Sequence, residues 1–189
     1  MRLVLLLALV STTSFVHADA PVGNLKLSVA ADASSVTYHL VHKLHKFDGV
    51  SKHVEGRALV QPGGPTQVAI RVPVESFDSG NTNRDAHMKE VTEVVQYPNV
   101  EIKAAGDGIV VPTTFPTTIQ KMWKAQVSFH GVVQAMELPV TVKFEAADRV
   151  VATTSFQLSL DAFKVERPSL MFVKVDDALK VDATLTFGP

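Results

Sequence analysis

The chain has 189 residues, 46% hydrophobic and 20% charged, with 18 Lys and Arg against 19 Asp and Glu and no Cys. That length fits one domain, two at most. The apolar content excludes a disordered chain, and near-neutral charge argues against a nucleic-acid binder. Without Cys there are no disulfides, no thiol catalysis and no cysteine-held zinc.

Arg2 precedes an unbroken apolar run from Leu3 to Val10, and Ser11-Thr12-Thr13-Ser14 leads on to Val16-His17-Ala18. This charged, apolar and small-residue order is that of a secretory signal peptide, and the run is too short to span a bilayer. Cleavage is expected after Ala18, leaving residues 19–189 as the mature domain; cutting after Ala20 would leave Pro21 at the new N-terminus. The mature protein is expected to be soluble, periplasmic or secreted, and without a transmembrane segment.

From there the chain alternates with period two, the signature of half-buried strands. Leu25, Leu27 and Val29 make a short stripe, and Val36 to Phe47 is a long β-rich stretch with less distinct faces. Val68, Ile70, Val72 and Val74 share one face. Farther on, Trp123, Ala125, Val127 and Phe129 alternate with Lys124, Gln126 and Ser128. Leu138, Val140, Val142 and Phe144 repeat the pattern, as do Phe156, Leu158 and Leu160, and finally Leu179 through Phe187. Reversals are expected at Asp48-Gly49, Pro62-Gly63-Gly64-Pro65, Gly106-Asp107-Gly108 and His130-Gly131. Short links predict antiparallel pairing. One apolar and one polar face per strand predicts an all-β, antiparallel up-and-down barrel of about eight strands.

One segment departs from this pattern. Thr82 and Asp85 stand in capping-box spacing, and Met88, Val91 and Val95 recur at helical spacing. A helix is expected from about Arg84 to Val95, stopped by Pro98 and capping one barrel end. Val110 to Thr118, with Pro112 and Pro116, reads as a loop or irregular edge strand.

Few constellations could carry chemistry. His39, His42 and His45 lie three apart with His53 nearby, but a strand would separate their faces, and no HExxH spacing occurs. No Gly-x-Ser-x-Gly elbow is present, and Asp176-Asp177 reads as a solvated turn. Arg84-Asp85-Ala86-His87 places a cation, an anion and an imidazole in the first helical turn, where an anion could bind. The alternative is structural: Asp85 caps the helix and Arg84 makes an ion pair.

Three blocks carry a resemblance to a family. The first is His42-Lys43-Leu44-His45-Lys46-Phe47-Asp48-Gly49, followed by Val54-Glu55-Gly56. The second is Val74-Glu75-Ser76-Phe77-Asp78-Ser79-Gly80-Asn81, then Arg84-Asp85-Ala86-His87-Met88 and Tyr97-Pro98. The third is His130-Gly131-Val132 before Glu137-Leu138-Pro139-Val140, then Phe156 to Phe163. Their order and spacing resemble the YceI-like family over nearly all of the mature chain. That resemblance implies a lipocalin-like, polyisoprenoid-binding periplasmic barrel. Two departures stand out: Ala125-Gln126-Val127-Ser128-Phe129 replaces a Gly- and Leu-bearing strand pattern, and His130 occupies a place where a small polar turn residue is common.

Resemblance and alternation together predict an exported, non-enzymatic, cofactor-free protein. It would hold an isoprenoid lipid or other long apolar small molecule in the lumen, for transport or storage. The expected lining is Trp123, Val127, Phe129, Val140, Val142, Phe144, Phe156 and Leu158. If the ligand carries a pyrophosphate head, Arg84, His87, His42 and His45 are the expected groups around it. Two alternatives stay open: a structural or interaction β-protein whose same residues pack a filled core, and a metal-binding protein using the histidines. A free edge strand would let two barrels pair as a homodimer, but the pattern singles none out.

Overall fold

The computed structural model describes residues 23–43, 45–170 and 173–189. The expected signal peptide and its cleavage site lie outside them. In chain order the elements are β1 (Leu25–Val29), β2 (Ser35–His42), β3 (His45–Ser51), β4 (Glu55–Val60), β5 (Thr66–Pro73), α1 (Thr82–Val91), β6 (Asn99–Gly106), β7 (Thr117–Phe129), β8 (Val132–Ala146), β9 (Arg149–Ser159), β10 (Ser169–Leu170), β11 (Val173–Lys174) and β12 (Ala178–Gly188).

Eight strands close into a ring. β1 and β2 both run antiparallel to β12, through Ser28↔Gly188 and through His39↔Lys180 to Ser35↔Thr184. They form one strand, interrupted by a 3-10 turn at Ala31–Ala33. Ser34 fixes that kink: its hydroxyl donates to Ala30 O (2.7 Å) and accepts from Thr186 N (3.0 Å). β3 and β4 are likewise one interrupted strand, paired to β2 and β1. From β4 the ladder runs through β5, β6, β7, β8 and β9 to β12, every pair antiparallel. The result is an up-and-down antiparallel barrel, and the period-two stripes point inward. Trp123, Ala125, Val127 and Phe129 are all buried, as are Leu138, Val140, Val142 and Phe144.

Two seams are incomplete: β3 has no ladder to β5 and meets the chain beyond β5 only at the isolated Val50↔Asp78 bridge, and β8 parts from β9. β7 and β8 pair along their whole length, Thr117↔Phe144 to Phe129↔Val132. The β8–β9 ladder, by contrast, stops at Val140↔Thr154, beside Pro139, which has no N–H to donate. Beyond it, the turn after β9 fills the gap. Phe163 is fully buried there, 5.8 Å from the Phe129 ring. Gln134 Nε2 donates to Ala162 O (2.8 Å), and His130 Nδ1 donates to Phe163 O (3.1 Å).

Several local expectations are corrected. The helix starts two residues earlier than expected and ends four earlier. Its N-cap is Asn81, whose side-chain oxygen accepts from Asn83 N and Arg84 N (3.1 Å each); the Thr82/Asp85 pair does not cap. Its end is set by Glu93 in the left-handed region (φ 47°), with Val94 N bonded to Lys89 O and Glu93 N to Glu90 O, a Schellman stop. The stretch Val36 to Phe47 is two strands, reversing between the paired His42 and His45. Asp48-Gly49 is no reversal but lies inside β3. Gly49 is there because a Cβ would stand 2.2 Å from Tyr38 Cε1. Val110 to Pro116 is non-strand and leads into β7. His130-Gly131 is the β7–β8 turn, with both residues at positive φ (50° and 72°), as a two-residue hairpin requires.

Candidate ligand-binding site

The barrel is filled in one half and open in the other. At the end carrying the β4–β5 and β8–β9 turns, Leu27, Val60, Ile109, Val142, Phe144 and Val150 pack together, all buried, around a void of only about 30 Å³. At the opposite end lies a cavity of about 470 Å³, within the size range of small-molecule sites. Its wall is almost wholly hydrocarbon: Val36 and Leu40 from β2, Val68, Ile70 and Val72 from β5, Ile102 from β6, Val127 and Phe129 from β7, Phe156 and Leu158 from β9, and Val181 and Leu185 from β12. Trp123, Ala152 and Phe187 line both spaces and therefore form the floor between them.

The mouth is built by segments between strands. α1 lies over it with Arg84, His87, Met88 and Val91 toward the cavity, and Val165, Glu166, Pro168, Ser169 and Val175 close another side. Asn83, His87, Glu166 and Ser169 line the cavity and are exposed, marking where it meets solvent. Arg84 is held in place. Its guanidinium sits 4.8 Å above the Phe47 ring, Nε donates to Ser79 Oγ (2.8 Å), and a terminal nitrogen donates to Ser79 O (2.6 Å). Asp85 accepts from Ser79 N (3.1 Å) and from the Ser79 hydroxyl. The pair thus clamps the turn before the helix; among the described residues Arg84 makes no ion pair, and Asp85 does not cap. Tyr38 also faces the cavity, its ring 5.4 Å from Phe77. Burial pushes its phenol above the ordinary value of 10.0, and Asp85 adds to this against the opposing pull of Arg84. Tyr38 therefore stays neutral.

The model of the YceI-like domain matches residues 27–187, nearly the entire described chain. The chain belongs to the YceI-like family. Among solved structures, it is similar to a polyisoprenoid binding domain from Saccharophagus degradans implicated in plant cell wall breakdown, at 17% identity and a TM-score of 0.72, over 87% of this chain and 98% of that one. BcnA of Burkholderia cenocepacia is similar at 16% identity and a TM-score of 0.66, over 84% and 98% of the two chains. The YCEI protein of Campylobacter jejuni follows at 11% and 0.57, over 79% and 86%. These likenesses show the fold. No curated protein matches the chain.

In this YceI-like barrel the expected lining residues divide. Trp123, Val127, Phe129, Val140, Phe156 and Leu158 border the open cavity. Val142 and Phe144 continue the β8 stripe below the floor, in the packed half, because one inward stripe runs the full barrel height. The histidines are dispersed. His87 is on the rim, half exposed, with Nδ1 3.4 Å from Glu90 Oε2. His42 is buried away from the cavity, with Nε2 on Val173 O (3.2 Å), where it ties β2 to β11. His45 is exposed beside Phe47. His39 stands between Asp48 (2.7 Å) and Asp182 (2.9 Å). Among the described residues, no group of three His, Asp or Glu side chains could hold a metal ion, and no helix is long and apolar enough to cross a membrane.

The sequence reading missed the contribution of β2, β5 and β12 to the wall. Their alternation is visible, but a closed ring is needed to bring Val36, Ile70 and Val181 around the same lumen as Val127. It also missed Tyr38, whose place is signalled only by Gly49 on the neighbouring strand.

Proposed function

We propose that the mature protein is an exported carrier that holds an isoprenoid or similar long, apolar ligand in the open half of its barrel, for transport or storage. One observation carries the reading: a 470 Å³ cavity walled by aliphatic and aromatic side chains that opens to solvent at the α1 end. Such a space excludes well-hydrated ligands, while hydrocarbon gains about 25 cal/mol for each Å² it buries. The tail alone can therefore carry binding. The polyisoprenoid binding named for the Saccharophagus degradans domain supports the same ligand class. A polar head would lie at the rim, near Arg84 and His87. No step of bond-making is assigned to the site, and no cofactor is invoked. The filled-core alternative is disfavoured by the same cavity.

The test is organic extraction of the purified mature protein followed by mass spectrometry. A co-purifying isoprenoid, or stoichiometric uptake of one supplied in detergent, supports the reading. Absence of both would sink it.

A further inference from the structure

The cavity has a definite bottom, and one side chain dominates it. Trp123 borders both the 470 Å³ cavity above and the 30 Å³ void below, and it is 5% exposed. Its indole packs against Gly106: a Cβ there would stand 2.3 Å from both Cδ1 and Nε1. The glycine at the end of β6 is thus the space on the neighbouring strand that the ring occupies. From the other side Ala152 and Phe187 complete the floor. The alanine is the small member of the three. Below, Phe144 at 1% exposure leaves no path onward. The ring is not held there by hydrogen bonding, since Nε1 is buried with no partner among the described residues. Shape alone holds it, at the cost of one unsatisfied donor.

We propose that Trp123 is a chain-length ruler: the indole sets how many isoprene units of the tail the barrel accepts. This inference rests on the carrier reading above. A tail entering from the α1 end meets hydrocarbon along the whole wall, so nothing on the wall discriminates between tails of different length. Only the floor does. Each unit that stays inside gains by burial; the first unit that would pass the floor must bend back or stay outside.

The experiment is a length series of uncharged isoprenoid alcohols titrated into the full mature protein, with near-UV circular dichroism confirming the fold of every variant. Wild-type affinity should rise about ten-fold or more per added unit and then level off at a definite length. Trp123 is the sole tryptophan, so its emission should shift with tails at or beyond that length and stay unchanged with shorter ones. Trp123→Leu should move the plateau longer by about one unit, the space the indole vacates. Ala152→Leu, which raises the floor without touching Trp123, should move it shorter. A wild-type plateau that neither variant moves overturns the ruler and leaves the carrier reading standing. Uptake of no alcohol of any length by the folded wild type overturns both.

Discussion

Glu93 and His130 stand side by side where the helix end meets the β7–β8 turn, both in left-handed backbone, with His130 Nε2 3.8 Å from Glu93 Oε1. One ends the helix; the other turns the β7–β8 hairpin. The Tyr97 ring packs edge-on against the imidazole at 4.9 Å, and His130 Nδ1 reaches on to Phe163 O. Three segments of the mouth are thus joined through one side chain. His130→Ala removes a mostly buried hydrogen bond and leaves a carbonyl without its donor, which costs about 1–3 kcal/mol. The expected result is a melting temperature lower by roughly 3–10 °C, read by differential scanning calorimetry. An unchanged transition would show the three segments to be independent.

Gly49 gives a sharper case. Its missing Cβ is the space occupied by the Tyr38 ring. Gly49→Ala should destabilise by about 1–3 kcal/mol through overpacking, and Gly49→Ala with Tyr38→Ala should recover part of that loss. Urea titration of both variants decides it. A single substitution as stable as wild type would contradict the close approach.

Arg84 bears on the ligand head. Its removal should weaken binding of a pyrophosphate-headed isoprenoid about ten-fold or more, the worth of a charge-assisted hydrogen bond. Binding of the corresponding uncharged alcohol should change little. Isothermal titration of Arg84→Gln with the two ligands separates these outcomes, and equal loss for both would assign Arg84 a role in rim structure alone.

Acid stability should depend in part on Asp182. The hydrogen bond from Lys180, then that from Ser155, holds its carboxyl down from the ordinary 3.8 to about 2. A carboxyl lowered on folding adds stability above its unfolded value and loses it as pH falls through the folded one. Unfolding free energy should therefore decline between about pH 4 and 2, and Asp182→Asn should flatten that decline. The group is 38% exposed, so the effect is below about 1 kcal/mol. Denaturant melts across that pH range measure it.

Most of the barrel was legible because inward and outward residues differ so consistently in polarity. Trp123 to Phe129 and Leu138 to Phe144 announce both strand and face. The strand breaks at Ala30–Ser34 and Ser51–Val54 were not legible, since they depend on hydrogen bonds to Thr186 and Ser76 far along the chain. Neither was the boundary between open cavity and packed core. Val140 and Val142 are the same residue type on the same face of the same strand; only the floor of Trp123, Ala152 and Phe187, drawn from three strands, places one above it and the other below. Asp48-Gly49 misled for a related reason, as a glycine that admits a neighbour's ring looks locally like a glycine that turns the chain.

The early end of the β8–β9 ladder has a mechanical consequence. Around its packed half the barrel is a closed hoop, where widening the girth means tearing backbone rungs. Above Val140↔Thr154 it is a split one. There the circumference is held between β8 and β9 by a turn, a buried phenylalanine and the two contacts from Gln134 and His130. The half that surrounds the cavity can therefore expand by displacing side chains while the ladder stays whole, and the half that keeps the fold together does not have to move.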